Sequence, residues 1–550
     1  MAQPATGPLA CSLILESNYL HFPAKQGAPQ CLVSIRAAGA LVREFVIELA
    51  PSWEAADFWV FTDVRRFTGQ TALVTFEWAD GGPPPVQAPP PVRQSDDFPD
   101  AGELYRERLR PQFHFSARRG WINDPNGLLY YSGTYHLFFQ HNPYGTRHGN
   151  MHWGHAVSSD LVHWTELDEA LYPDEAGTVF SGSGVVDSRN TSGLKVGEEP
   201  PLVLVYTAAG GTSRQSRGRP FTQCIAYSTD GGKTWAKYDG NPVVGHIAGA
   251  NRDPKVIWHE PTGKWVMALY LEGNKFAFLS SPDLKRWEYL SDIEIPGCAE
   301  CPDFFPLPLD GDPDRTKWVL WGANGSYLVG EFDGARFVPE ATVLDRSNEK
   351  ASWYAAQTWS NIPPEDGRVI QIAWFQCNLP GMPFNHFMTF PCELSLRSTQ
   401  EGPRLFRRPV REIKKLYRKE VRRGGERLVP GEPVVLELDD DLLDIDLVLR
   451  LETAEEVEIA AGKAVVRYSA AQRELWCNGK TCALSPEAGE VRLRLLVDRA
   501  SVDVFGNEGR VYMPAAAVRD GSGRRLILAA TGGAATVAPL VVNVLRSIWT

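Results

Sequence analysis

Three carboxylates sit in turn-like motifs that could hold them still for chemistry. Asp124 lies in Trp121-Ile-Asn-Asp-Pro-Asn-Gly127, Asp253 in Asn251-Arg-Asp-Pro254, and Glu300 in Pro296-Gly-Cys-Ala-Glu-Cys-Pro-Asp-Phe-Phe305. Pro125 and Pro254 fix their own φ and push the preceding aspartate toward extended geometry. Asn126-Gly127 is a strong turn pair, so a turn is expected at Asp124. Arg252 adds a rigid fork of donors suited to sugar hydroxyls and to keeping a nearby carboxylate ionised. The small apolar flanks of Glu300 predict desolvation and a raised pKa, which a general acid near neutrality requires. Taken singly, each motif reads as ordinary structure: an Asx-turn cap, a surface Arg–Asp pair, a solvated loop glutamate. Taken together they offer an acid to protonate a leaving oxygen, a carboxylate to attack an anomeric carbon, and a third to hold hydroxyls, the set that glycoside hydrolysis uses.

Something must bring the three together. From about 106 to 408 the chain shows short aromatic-rich strands between Gly, Asn and Asp turns, with hardly any helical periodicity. Leu128 to Phe139, broken by Ser-Gly-Thr, reads as a β-hairpin. Ser158-Ser-Asp-Leu-Val-His-Trp164 recurs as Ser228-Thr-Asp-Gly-Gly-Lys-Thr-Trp235 and Ser281-Pro-Asp-Leu-Lys-Arg-Trp287. These copies lie about 50–70 residues apart, the scale of a four-stranded propeller blade, and that spacing predicts about five blades. Inner strands of successive blades converge on one channel, so carboxylates from different blades can meet there.

The flanks differ. Residues 13–80 alternate apolar and polar positions and predict a small β module, assigned to 1–82. Gly81-Gly-Pro-Pro-Pro-Val-Gln-Ala-Pro-Pro-Pro-Val92 reads as a semi-rigid spacer opening a linker over 83–105. The propeller is assigned to 106–408. Pro409 to Arg423 is a helix or linker candidate, and the alternating strands across 409–550 predict an antiparallel β-sandwich. The fold class is therefore all-β: a five-bladed β-propeller, a C-terminal β-sandwich and an extra small N-terminal β module.

Composition narrows the partners. The 550 residues exceed one hydrophobic core, and a net charge of −11 argues against nucleic acid and anionic membranes. No apolar run reaches the roughly 18–20 residues of a membrane-spanning helix. Met1 to Leu20 has no basic region before its apolar stretch, so the protein is expected to be cytoplasmic, or secreted on a signal this sequence lacks. The 17 Trp, 17 Tyr and 25 Phe suit sheet faces and sugar stacking alike. Nine cysteines imply no disulfide framework; Cys477 and Cys482 read as free thiols. Cys298-Ala-Glu-Cys301 has half-site spacing but no second pair or His cluster, so neither metal nor cofactor is expected.

The chain resembles glycoside hydrolase family 32, the invertase, levanase and inulinase family. The resemblance rests on Trp121–Gly127, Phe138-Phe-Gln-His-Asn-Pro143, His152-Trp-Gly-His155, Phe180-Ser-Gly-Ser183, Arg252-Asp-Pro254 and Glu300-Cys301, in the family's order. Asp498-Arg-Ala-Ser-Val-Asp-Val-Phe505 also looks like the family's C-terminal sandwich. The resemblance implies a five-bladed propeller plus sandwich and a retaining, exo-acting fructosidase for sucrose or fructans. It implies Asp124 as nucleophile, Glu300 as acid/base and Asp253 as transition-state stabiliser. It further implies that Arg252 binds the sugar and tunes Glu300, and that Asn123, Gln140, Trp153 and Ser181 line the fructose subsite, with Trp374 as an aromatic wall.

Pro391-Cys-Glu-Leu394, Ser352-Trp-Tyr-Ala355 and the stretch Gln376 to Phe387 depart from the family pattern on the leaving-group side. Fructosyl transfer, a sugar-binding propeller without activity, and a five-bladed arabinanase or xylosidase are the competing readings. The choice among sucrose, inulin and levan, the role of the N-terminal module and the oligomeric state stay open.

Overall fold

The computed structural model describes residues 9–78, 92–98, 100–343, 352–518 and 524–549. Most of the proline-rich stretch read as a spacer falls outside them. Among the described residues, no helix is long and apolar enough to cross a membrane.

The N-terminal module packs a four-stranded sheet (Leu9–Ile14, Thr71–Trp78, Gln30–Ala37, Ala40–Glu48) on a three-stranded one. The smaller sheet is Phe58–Asp63, Tyr19–Ala24 and Arg93–Ser95. Arg93–Ser95 lies within 83–105, so that segment is not all linker: its last part returns to the module by pairing with Tyr19–His21. Leu20, Phe22, Val33, Phe45, Val60, Val74 and Phe76 fill the space between the sheets, as their period-2 pattern requires.

The propeller is a succession of antiparallel meanders. Its inner strands are Gly120–Tyr131, Thr178–Val186, Arg252–His259, Asp303–Leu309 and Trp353–Thr358. The first three blades each end in a Ser-Asp-Trp corner between their third and fourth strands. Asp160 Oδ1 accepts the Val162 and His163 backbone N–H groups at 3.1 and 2.9 Å, and the Trp164 indole donates to the Leu161 carbonyl at 3.1 Å. Trp235 and Trp287 make the same bond to Gly232 and Leu284. The repeated sequence is thus a repeated Asx corner with a Trp packed under it.

Two sheets, built on Leu443–Arg450 with Ala535–Leu545 and on Glu456–Ala461 with Arg525–Thr531, form the C-terminal sandwich. The helix-or-linker candidate divides: Arg411–Leu416 is a 3-10 helix and Tyr417–Arg423 is a strand paired to Ala535–Leu545. The sandwich closes on the propeller through one continuous apolar cluster that joins Phe113, Trp321 and Trp353 to Leu496, Phe505 and Tyr512. At its edge the buried His114 lies between Asp498 (2.8 Å) and Asp503 (2.9 Å). Burial alone would lower the His114 pKa, but the two carboxylates override it and push it up to about 9.

Candidate active site

The inner strands position the two aspartates through bulges rather than turns, while Glu300 sits in a bend just before the strand Asp303–Leu309. The expected turn at Asp124 is absent: Asp124 lies inside the strand Gly120–Tyr131, whose register slips between Ile122 and Pro125 and again between Asn126 and Leu129. A bulge re-aims a side chain without ending the strand. Pro125 suits it because a bulged position needs no ladder donor. Gly127 has φ +57°, and a Cβ there would meet Phe138 at 2.5 Å and Trp153 at 2.9 Å, so side chains of its own sheet demand glycine. The same device recurs at Ser181, in the slip between Phe180 and Gly182, and at Asp253, in the slip between Arg252 and Lys255. Asp253 and Glu300 have φ of 64° and 63°, a region that non-glycine residues avoid and that clusters at functional sites.

Asp124, Asp253 and Glu300 converge as the sequence predicts. Ser181 Oγ and Asn123 Nδ2 donate to the Asp124 carboxylate at 2.6 and 3.1 Å, and the Trp121 indole donates to Asn123 Oδ1 at 2.9 Å. The Cys301 thiol lies 3.5 Å from Asp124 Oδ2 and 3.4 Å from Asp253 Oδ2, bridging them, and the Cys301 N–H donates to Asp253 Oδ2 at 3.0 Å. The Arg252 guanidinium pairs with Glu300 and lies 3.7 Å from Asp253. Tyr354 donates to the other Glu300 oxygen at 2.8 Å.

Three expectations change. Glu300 is not wrapped in apolar groups; its side chain is 33% exposed and held between a guanidinium and a phenol. Trp153 does not line a pocket: it is 0% exposed, packs on Phe138 and Tyr206, and donates to the Phe180 carbonyl at 3.0 Å. It props the Ser181 strand from behind. Gln140 is 2% exposed and likewise donates to Val179 at 2.9 Å. Trp374 is partly exposed; its indole donates to His386 Nδ1 at 2.7 Å, and the His386 ring also packs on Trp121. Burial drives the His386 pKa down to about 4, so it stays a neutral acceptor.

Cys301, Tyr354 and His386 were missed as contacts, although each stood in a motif or departure singled out by sequence. Among the described residues, no group of three or more His, Cys, Asp or Glu side chains has the arrangement of a metal site.

Burial raises the Asp124 pKa, partly offset by the Ser181 and Asn123 hydrogen bonds. Burial pushes Asp253 up to about 7, opposed by Arg252 and reinforced by Asp124. The unfolded chain loses the Asp253 proton near the ordinary value of 3.8, whereas the folded chain keeps it to about 7. Stability therefore falls as pH rises between these values, because the folded state binds the extra proton there. Asp253→Asn removes that dependence. Its melting temperature should exceed the wild type's by more at pH 7.5 than at pH 4.5, by about 1 °C for each kcal/mol recovered in a chain of this length. A difference that does not change with pH would refute the raised pKa.

The family description "Glycosyl hydrolases family 32 N-terminal domain" matches residues 114–409, and the C-terminal description of the same family matches 454–543. This chain belongs to glycosyl hydrolase family 32. It is accordingly a glycoside hydrolase. A levanase of Bacillus subtilis is 38% identical over 493 residues, covering 81% of this chain and 72% of the levanase. An extracellular exo-inulinase of Aspergillus ficuum is 32% identical, covering 81% and 96%. The crystal structure of exo-inulinase from Aspergillus awamori superposes with a TM-score of 0.74 at 31% identity, over 81% of this chain and all of that one. A fructofuranosidase from Schwanniomyces occidentalis, solved in complex with fructose, gives 0.71 at 26% identity over 81% and 99%. The N-terminal module lies outside both family 32 matches.

Proposed function

We propose that the protein is a retaining, exo-acting β-fructofuranosidase that hydrolyses terminal β-D-fructofuranosyl units of sucrose and fructans. The observation that carries this reading is the convergence of three carboxylates with unlike surroundings: Asp124 half-buried between two neutral donors, Asp253 buried beside Arg252, Glu300 partly exposed and gripped by Arg252 and Tyr354. The names of the levanase and exo-inulinase relatives support the substrate class.

Asp124 attacks the anomeric carbon of the terminal fructose while Glu300 gives its proton to the departing glycosidic oxygen. The C–O bond breaks, and a fructosyl ester forms on Asp124. Ser181 and Asn123 hold the attacking carboxylate in line, which limits the entropy lost at attack. Glu300, now a carboxylate, takes a proton from water; the hydroxide oxygen attacks the same carbon and Asp124 leaves ionised. Asp253 and Arg252 hold the ring hydroxyls, and Cys301 keeps the two aspartates apart in a fixed geometry. Asn123, Ser181 and Trp374 face the ring. Gln140 and Trp153 act behind them.

The test is the first product. NMR during hydrolysis should show fructose first formed in the β configuration, because two inversions at one carbon retain stereochemistry, with fructose as the sole early product from levan and inulin and with equimolar glucose from sucrose. α-Fructose would overturn the double displacement. Oligofructosides appearing first would overturn exo action.

A further inference from the structure

We propose that the N-terminal module is a working part of the active site: it pins two rim segments of the pocket, Pro143–Asn150 and Asn378–His386, and so governs the binding of whatever lies beyond the fructosyl unit. This rests on the fructosidase reading above.

The first segment joins the strands Thr134–Asn142 and His152–Ser158 of the first blade. Its Tyr144 leaves the propeller altogether. It is 1% exposed within the module's apolar core, stacked on Phe45 with ring centroids 3.7 Å apart, and donates to Thr62 Oγ1 at 3.0 Å. Its Asn150 imitates a strand neighbour. The Val46 N–H donates to Asn150 Oδ1 and Asn150 Nδ2 donates to the Val46 carbonyl, both at 2.8 Å. Between these pins lies His148, which feels the Asp124 charge and meets the ring of Phe180, beside Ser181, edge-on.

The second segment is tied to the first. Gln26 of the module donates to Thr146 Oγ1 at 3.4 Å and to the Met382 carbonyl at 3.3 Å, and Asn385 Nδ2 donates to the Thr146 carbonyl at 3.2 Å. The next residue, His386, holds the Trp374 indole. A line of contacts thus runs from the module through Met382 and Asn385 to the aromatic wall. Ion pairs fix the module as a body: Arg214 bridges Glu44 at 2.6 Å and Glu77 at 3.0 Å, and Arg65 pairs with Asp168.

The division of labour follows. Asn123, Asp124, Ser181, Arg252 and Asp253 stand on propeller strands, and the module bonds to none of them among the described residues. Gly145 and Gly149 leave the rim loop conformationally free unless it is pinned. Ordering it in advance lowers the cost of binding a long substrate.

The experiment compares full-length wild type with Gln26→Ala, Asn150→Ala and the double variant, all surface amides outside the proposed fructose-binding set. Hydrogen exchange over 143–150 should quicken in the variants. Catalytic efficiency on levan or inulin should fall about fivefold or more, through KM, while kcat on an aryl β-fructofuranoside stays within about twofold. Unchanged exchange, or equal losses on fructan and aryl fructoside, would overturn the proposal. Wild type that releases no fructose from any substrate would instead overturn the function. Wild type that does so, beside variants with an unchanged fructan-to-aryl ratio, would remove only the module's role.

Discussion

Asp124→Asn is expected to lose at least about four orders of magnitude in kcat on sucrose, because an amide cannot form the fructosyl ester. The change is isosteric, and the bulge that carries Asp124 is set by Pro125, Gly127 and the partner strand, none of which depends on the charge. The fold should hold. The local cost is one donor: Ser181 and Asn123 both donate to the carboxylate, and an amide offers a single acceptor oxygen. Against that stands release from ionising a carboxyl whose pKa desolvation raises. Circular dichroism and melting should therefore stay near wild type while turnover vanishes. Activity above about a tenth of wild type, in protein free of contaminating enzyme, would remove Asp124 from the nucleophile role.

Glu300→Ala should separate substrates by leaving group. The glucose of sucrose departs as a poor alkoxide and needs a proton, so cleavage of sucrose should fall about a thousandfold; an aryl fructoside needs little help and should lose far less in the first step. Arg252 keeps its bond to the Ala250 carbonyl at 2.7 Å and Tyr354 keeps its strand position, so the fructose side survives the truncation. Azide should restore part of the aryl activity by attacking the ester without base help. Equal losses on both substrates, with no azide effect, would show that Glu300 is not the acid.

What could be read in the sequence was what local chemistry determines. The Ser-Asp-Trp corners announced the blades because their wiring spans only a few residues, side chain to nearby backbone. The carboxylate motifs pointed to the right residues. Their geometry was not legible. Asn126-Gly127 reads as a turn in isolation, and only the partner strand converts it into a bulge. Glu300 looked apolar in its own segment, yet its surroundings come from Arg252, 48 residues before, and Tyr354, 54 residues after. Trp153 carries a sugar-stacking side chain but sits under the sheet, a matter of which face the register turns inward. The family 32 motifs say nothing about the module, because the contacts that join it to the pocket run through Tyr144, Asn150 and Gln26, on stretches that look like plain loops.

The imidazole held between Asp498 and Asp503 bears on how this architecture can be recombined. His114 belongs to the propeller and both carboxylates to the sandwich, and all three are fully buried. A chain shuffled at the boundary would keep either a buried imidazole that loses its charge and both its partners, or two buried carboxylates without their shared cation, and breaking such a set is costly. The sandwich is thus no interchangeable appendage. Grafting it between relatives would require transplanting the histidine and both aspartates as a single inherited set.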